Sequence, residues 1–507
     1  MAKSEVKNGA ILSYILILLN ACYGLFLTPF ILGRIGEADY GVYKTVAALS
    51  SSLMVLDLGL GGTLMRYIAR FKADGEEEKI ANYVAMSLIQ AAILAAAVLF
   101  IVVGVYFFID ILYADGLTVA EIAKAKKLYI VLGIGIVAHI FENVMNGVIS
   151  GYNKFTFANG LKLLRLMIRI ILTIGLLFVF NNSMTLVVID VVLIFGLLIT
   201  EWFYVCFALK LKVRFKVWEN KLFKESFKYT LLLFITAIAA QINGNLDNVV
   251  IGAIKGSEAV AVYSMGLLIF SMFEQLSTAI SSVMLPTVTN TLKNDDEKYT
   301  QTQELIVQAG RVQFALLGAV FIGFLILGKS FVSIWLGEGY EDVYIIGLIL
   351  MAPSLLELCV NVCLSVLRAN NNLGFRTYNL LATTVLNAII TIVGTYFWSY
   401  YAAAIGTGVS FLLGSVIIMN VYYNKKYGFR MGLVYAQIFK GIFPCLLISG
   451  ISGWLAIYFF ASNLVKLLVG VTVFLLVYGL TLCLFGLNKK EKSCLKNYKD
   501  NRRETND

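Results

Sequence analysis

Four stretches of this chain carry side chains that could do chemistry inside an otherwise apolar sequence. Residues 142–150 read "ENVMNGVIS", with Glu142, Asn146 and Ser150 four residues apart. On a helix that spacing makes one polar stripe. Residues 357–365, "ELCVNVCLS", repeat it with Glu357, Asn361 and Ser365. At 241–252, "QINGNLDNVVIG" sets Gln241, Asn243, Asn245 and Asn248 around Asp247. A carboxylate ringed by amides can hold a small cation, carry a proton or bond sugar hydroxyls. Finally, Ser271, Glu274, Gln275, Thr278, Ser281 and Ser282 share one helical face. A polar face of that length normally turns to water or a polar ligand, because lipid would reject it.

None of these is a nucleophile relay. The chain has one histidine, His139, which argues against a multi-histidine metal centre or a histidine triad. Its seven cysteines lie mostly in apolar runs without ligand spacing and read as small hydrophobes. There is no G-x-S-x-G and no Cys–His pair, and Gly328-Lys329-Ser330 lies inside the apolar run 312–335, not in a phosphate-cradling loop. The sequence therefore offers no catalytic residue, no metal site and no means of hydrolysing ATP.

The elements that position these residues must sit in lipid. The chain has 507 residues, 59% hydrophobic and only 14% charged, more apolar surface than a water-soluble protein could hide. Runs of bilayer length fall at 9–32, 45–65, 81–109, 128–149, 161–180, 185–209, 229–253, 259–285, 312–335, 342–367, 378–397, 402–422, 433–460 and 464–487. They predict an all-α polytopic membrane protein of about 14 transmembrane helices. The start "MAKSEVKNGA" leads into a full-length span, and no cleavable signal is expected.

Charge orients the spans. With alternating spans, 32 of the 41 Lys and Arg fall on the side of the termini, eight on the other, and Lys440 within a span. The bias predicts a multi-pass membrane protein with both termini in the cytoplasm. The net charge of +10 then belongs to loops facing anionic lipid and does not imply nucleic acid.

An internal repeat organises the chain. "GEADYGVY" at 36–43 recurs as "GSEAVAVY" at 256–263, and the Glu142 stripe recurs at Glu357. Offsets of 220 and 215 residues both correspond to six spans. The reading is two pseudo-symmetric six-helix lobes, 1–215 and 216–430, two appended helices within 431–487, and a basic cytoplasmic tail at 488–507. Two like halves about an axis normal to the membrane suit a transporter with a central cavity. Asn146, Gln241, Asn245, Gln275 and Asn361 are the candidate polar lining. Asp247, Glu274, Glu142 and Glu357 are the candidate coupling carboxylates, since charge in lipid is costly. The plain alternative is interhelical glue for the amides and hydroxyls, and a wet interfacial position for Asp247. His139 is expected to pack one turn from Glu142. Arg66, Arg70, Arg165, Arg169, Arg311 and Arg368 lie at inner helix ends. Each could simply snorkel, or together they could give a vestibule a positive field.

The stretch "RIGEADYGVYKTVAALSSSLMVLDLGLGGTLMRYIA" at 34–69 resembles the opening of the bacterial polysaccharide-export flippases, the Wzx or O-antigen transporter family. "DNVVIGAIKGSEAVAVYSMG" at 247–266 is similar to that family's second-half counterpart. The wider superfamily also holds multidrug exporters of the MATE type and the lipid II flippase. The resemblance implies a two-lobed bundle with alternating access. It would carry a polyprenyl-diphosphate-linked glycan from the inner to the outer leaflet, with membrane lipid and polysaccharide polymerase and ligase machinery as partners. It implies no cofactor beyond a proton or sodium gradient. By position, Arg66, Arg311 and Arg368 would take the cationic, diphosphate-facing part and Asp247 the coupling part. Spans 1, 7 and 8 lack a mid-span Arg or Lys, which departs from a buried diphosphate clamp and leaves the charge at the vestibule.

Three other readings stay open. A drug or small-cation exporter of the same fold would use acidic cavity charges such as Glu274 and Asp247. A polyprenyl-dependent glycosyltransferase would use the paired carboxylates of "EAD" at 37–39, but the outer loops are too short to hold an acceptor. A ligase or polymerase would also want a large outer loop.

Overall fold

The computed structural model describes residues 2–54, 59–211, 213–215, 241, 244–291, 298–370, 372, 374–488 and 491. Among them every regular element is helical. In chain order these are α1 (Ala2–Ile35), α2 (Glu37–Met54), α3 (Leu60–Ala73), α4 (Glu77–Leu112), α5 (Val119–Gly151), α6 (Phe155–Val179) and α7 (Ser183–Phe203). They continue with α8 (244–254), α9 (Ser257–Thr291), α10 (Lys298–Leu336), α11 (Glu341–Cys359), α12 (Cys363–Ala369) and α13 (Gly374–Phe397). The last are α14 (Tyr401–Ser410), α15 (Met419–Tyr427), α16 (Met431–Phe439), α17 (Ile442–Tyr458) and α18 (Asn463–Thr481). Wider π-helical turns extend α7 through Tyr204–Ala208, join α14 to α15 through Phe411–Ile418, and finish α18 through Leu482–Gly486.

The chain is a multi-pass membrane protein. Ten described helices are long and apolar enough to cross a bilayer, and eleven if α16 and α17, bent by 44°, form one span. Three predicted runs fall outside that set. The run at 45–65 is split between α2 and α3, where Gly59 takes a left-handed φ of 65° at the start of α3. The run at 161–180 lies on α6, whose Lys162, Arg165 and Arg169 dilute its apolar character. The run at 229–253 lies mostly outside the described residues.

Local chemistry explains the joints. α1 passes to α2 through Gly36 at φ 81°, and α8 to α9 through Lys255 and Gly256 at φ 89°. These are the matching glycines of the two repeated segments. The repeat preserves a left-handed turn that a residue with a Cβ would adopt only with strain. α5 begins with a capping box, in which Thr118 Oγ1 accepts from Glu121 N–H at 3.3 Å and Thr118 N–H donates to Glu121 Oε2 at 2.8 Å.

Two compact units divide the chain. The first comprises Met1–Ser264 with Thr384–Gly406, the second Met265–Thr383 with Thr407–Asp507. The core of the first includes Leu64, Ile68, Tyr83, Tyr129, Val144 and Val148. Its α3 and α5 meet at glycines: a Cβ on Gly147 would lie 2.6 Å from Gly61 O, and one on Gly61 would lie 2.3 Å from Asn143 Oδ1. Such small-residue contacts let membrane helices approach closely. The core of the second unit gathers Phe314, Cys359, Val366, Tyr423, Val434 and Ile438.

Candidate functional site

In the first unit the α5 stripe meets two neighbouring helices. Glu142 is buried, and its Oε2 lies 3.1 Å from His139 Nδ1, so that histidine is a partner to the carboxyl and not mere packing. Asn146 Nδ2 donates to Glu201 Oε1 on α7 at 3.1 Å, and Asn146 Oδ1 accepts from Lys162 Nζ on α6 at 3.4 Å. Glu201 has no exposed surface, and its Oε2 has no hydrogen-bond donor among the described residues. One turn from Lys162, Arg165 stands in the field of Glu142 and Asp190. Another turn along, Arg169 holds Asp190 of α7 in a fork, Nε to Oδ1 at 2.7 Å and Nη2 to Oδ2 at 2.8 Å, with its guanidinium 4.9 Å from the Tyr23 ring centre. Snorkelling does not describe Arg169, which has an acid partner within its own unit. Bidentate pairing offsets the cost of burying two charges.

The second unit repeats the arrangement with a broken helix. Glu357 ends α11, Asn361 lies in the break at 360–362, and Ser365 is on α12, so the second stripe crosses an interruption that the first does not have. Glu357, Asn361, Arg376 of α13, and Ser415 and Tyr423 of the α14–α15 span line a small polar cavity of about 30 Å³. Carboxylate, amide, a base on a following helix and a polar group beside a π-helical turn thus recur in both units. The freed carbonyls of the break are capped: Tyr435 Oη donates to Leu356 O and Ser277 Oγ to Leu358 O, each at 3.1 Å. Gln313 of α10 is oriented so that its amide nitrogen donates to Leu358 O at 2.9 Å and Cys359 O at 3.0 Å, while its oxygen accepts from Ser281 Oγ at 2.7 Å.

That pairing takes Ser281 out of the open polar face predicted for α9. Ser281 serves Gln313, Gln275 Nε2 donates to Ser271 O at 3.2 Å and Thr278 Oγ1 to Glu274 O at 3.2 Å. Ser281 is thus spent on a helix joint, whereas Thr278 stays exposed with its hydroxyl bonded to its own backbone. Glu274 remains exposed; the side chain of Ser282 lies outside the described residues.

Asp247 is not at a wet interface. It is only 3% exposed on α8, and its Oδ2 accepts from Tyr263 Oη of α9 at 2.5 Å while its Oδ1 accepts from Thr391 Oγ1 of α13 at 3.1 Å. Asn387, one turn before Thr391, is 3.3 Å from the same hydroxyl. Asn248 Oδ1 accepts from Ser264 Oγ at 3.2 Å. The amides that flank Asp247 in sequence do not all join it: Asn245 Nδ2 donates to Gln241 O at 3.3 Å, and Asn243 lies outside the described residues. Tyr263, Asn387 and Thr391 could not be assigned from spacing, because they come from two other helices.

The cationic residues separate. Arg66 on α3 and Arg368 at the end of α12 are exposed. Arg311 is 2% exposed and all five of its N–H groups are engaged. Nε and Nη2 hold Glu491 at 2.7 and 3.1 Å, Nη1 donates to Gln437 O at 3.0 Å and Lys440 O at 2.8 Å, and Nη2 also donates to Gly486 O at 2.7 Å. It braces the bend between α16 and α17 and has no donor left for a diphosphate, which corrects its assignment as a substrate contact. Burial alone would raise the Glu491 carboxyl, but hydrogen bonds from Arg311 and Asn488 N–H outweigh it and hold it below the usual carboxylate range.

The two repeated turns lie together in the first unit. A Cβ on Gly41 would fall 1.8 Å from Ser257 O, and one on Gly116 2.2 Å from Gly252 O. Ser257 Oγ donates to Glu121 Oε1 at 2.5 Å and Lys124 Nζ to Asp39 Oδ1 at 2.5 Å. Asp39 is therefore committed to an ion pair, which weakens its reading as half of a catalytic carboxylate pair.

The family described as "Polysaccharide biosynthesis protein" matches residues 6–292. A membrane protein of Methanocaldococcus jannaschii, MJ1068, is 22% identical over half of this chain and 52% of its own length. The membrane protein EpsK of Bacillus subtilis is 20% identical over 82% of each chain. The chain thus spans about half the length of the first relative and most of the second. Among solved structures, the lipid II flippase MurJ in an inward closed conformation superposes with a TM-score of 0.70 at 15% identity, covering 94% of this chain and 98% of that one. An inward-facing MATE multidrug transporter of the MOP superfamily gives 0.61 at 15% identity over 81% and 96%. At these identities the likeness establishes the fold, that of MurJ and the MATE transporters.

Proposed function

The chain belongs to the polysaccharide biosynthesis protein family, and on that premise we propose that it is a flippase for a polyprenyl-diphosphate-linked oligosaccharide. It moves the glycan from the inner to the outer leaflet of the bacterial cytoplasmic membrane by alternating access, with both termini in the cytoplasm. The observation that carries this reading is the polar constellation repeated in the two units, Glu142, Asn146, Lys162 and Glu201 in one, Glu357, Asn361, Arg376 and Ser415 in the other. Apolar helices that keep buried carboxylates, amides and bases at matching places suit a transporter passing a polar, charged cargo, not an enzyme. Exposed Arg66 and Arg368 remain the positive groups for the diphosphate; Arg311 does not. Arg376 joins them as a residue that spacing alone does not single out.

The energy source in this reading is an ion gradient, with Asp247 as the coupling carboxylate. The hydroxyls of Tyr263 and Thr391 and the amide of Asn387 gather beside it. Such oxygens suit a proton or a sodium ion, which takes hard oxygen ligands. Polymerase and ligase machinery would act on the delivered glycan.

A second reading, a small-cation or drug exporter of the same fold, is favoured by one observation: Glu274 is an exposed carboxylate on α9. Analysis of polyprenyl-linked glycans in a strain lacking the protein separates the two. Accumulation of a complete lipid-linked unit on the cytoplasmic face, with loss of surface polysaccharide, is the expected result. Unchanged glycans, in a strain with no redundant flippase, would shift the assignment to the exporter.

A further inference from the structure

One cavity lies apart from all these clusters. In the second unit the ends of α10 and α17 and the starts of α11 and α18 enclose a pocket of about 720 Å³. These helix ends share one face of the membrane, so the pocket opens at the interface between headgroups and hydrocarbon. Two of the eight cations on the Lys-poor side of the chain, Lys329 and Lys466, line it, and so do two carboxylates, Glu338 and Glu341.

The charges are not self-cancelling. Lys329 and Glu341 pair at 3.0 Å, but their side chains are 64% and 66% exposed, and a pair so open to solvent is weak. Lys466 Nζ and the Glu338 carboxylate make no ion pair or hydrogen bond among the described residues, although both face the same space. The pocket therefore holds one unspent cation and one unspent anion. Its floor is built: Asn463 Oδ1 accepts from Ser330 Oγ at 3.3 Å, and Asn463 Nδ2 donates to Ser333 Oγ at 3.0 Å. Ser333 Oγ thereby acts as an acceptor, and its own hydroxyl proton is available to donate. On one wall Trp454 and Tyr458, one turn apart with ring centres 6.2 Å apart, stay largely exposed, as amphipathic rings do at a headgroup layer.

We propose that this pocket binds the headgroup of a zwitterionic phospholipid. The phosphate goes to Lys466 and the Ser333 hydroxyl, and the ammonium to Glu338 with Glu341 beside it. Lys329 lies seven residues before the end of α10, about 10 Å below it, and Lys466 lies one turn into α18. The long stem of each lets its ammonium reach toward lipid phosphate. A purely anionic headgroup would leave Glu338 opposed by like charge, so the mixed signs select a zwitterion. The site does not depend on the flippase reading, and a transport defect is not its readout.

The test is native mass spectrometry of the full-length protein, with phosphatidylethanolamine or phosphatidylglycerol added in matched amounts. Wild type should retain phosphatidylethanolamine preferentially. Lys466→Gln and Glu338→Gln, whose positions are exposed or half-buried, should keep the wild-type melting temperature. Each should weaken that retention by about tenfold, the loss expected for one charge-assisted hydrogen bond. Equal retention of the two lipids, or a preference that both variants keep, would overturn the proposal. Two other results would do the same. Complete displacement by soluble phosphoethanolamine would make the ligand a free metabolite. A co-purifying lipid-linked glycan lost in Lys466→Gln would make the pocket a carbohydrate site.

Discussion

The Arg311 guanidinium and the Glu491 carboxylate meet at two points, Nε to Oε1 at 2.7 Å and Nη2 to Oε2 at 3.1 Å, so a buried arginine of α10 anchors the residues that follow α18. The same guanidinium spans the carbonyls of Gln437 and Lys440, which the bend between α16 and α17 leaves without helical partners. Arg311→Ala should therefore lower stability by about 3 kcal/mol, the size of a broken buried pair with its hydrogen bonds. Thermal unfolding in detergent measures it. A normal melting curve with weakened substrate binding would restore Arg311 to the transport path.

The same pair gives a pH dependence. Glu491 is held below its ordinary value, so its contribution is present above the unfolded carboxylate pKa of about 4.3 and is lost as pH falls through the depressed folded value. Hydrogen exchange at Leu487 and Asn488 should stay protected at neutral pH and open only in strong acid. In Glu491→Gln the acid-dependent opening should vanish and protection should be lower throughout. An opening in wild type that begins near neutrality would identify a different titrating group.

Asp247→Asn should abolish transport while the protein remains folded in the membrane, because the amide cannot supply the charge that Tyr263 and Thr391 now hydrogen-bond. Tyr263→Phe should lower the rate by about tenfold, the worth of one hydrogen bond to a charged group. Uptake of a lipid-linked glycan in proteoliposomes with and without an imposed ion gradient reads both. Wild-type rates for Asp247→Asn at equal expression would remove it from the mechanism.

Two glycines on α3 separate packing from propensity. At Gly62 a Cβ would meet nothing within 4 Å, so Gly62→Ala should be neutral or stabilising by up to about 1 kcal/mol. Gly61→Ala would drive a Cβ to 2.6 Å from the Asn143 carbonyl and should cost about 1–3 kcal/mol. Equal melting temperatures for the two variants would show that α3 and α5 can part freely.

Glu142→Gln and Glu357→Gln test the repeat itself. If the two constellations act alike, both substitutions should slow transport to a similar degree in the proteoliposome assay. One silent and one lethal substitution would tie function to a single unit, and the broken α11–α12 helix makes that comparison informative.

The sequence by itself determined that this chain is helical and lipid-embedded, because apolar run length and scarce charge admit no other solvent. It also carried the repeat: Gly36 and Gly256 make the same left-handed turn, and the stripe of Glu142, Asn146 and Ser150 recurs as Glu357, Asn361 and Ser365. Which polar groups meet was decided by tertiary structure alone. Helical periodicity says which side chains share a face, but not which neighbour that face meets. So Arg311, Arg66 and Arg368 read alike along the chain, yet packing buries the first against five acceptor contacts and leaves the others exposed. For the same reason Asp247 draws its hydroxyls from α9 and α13, not from the amides beside it, and Asn146 finds Glu201, 55 residues away.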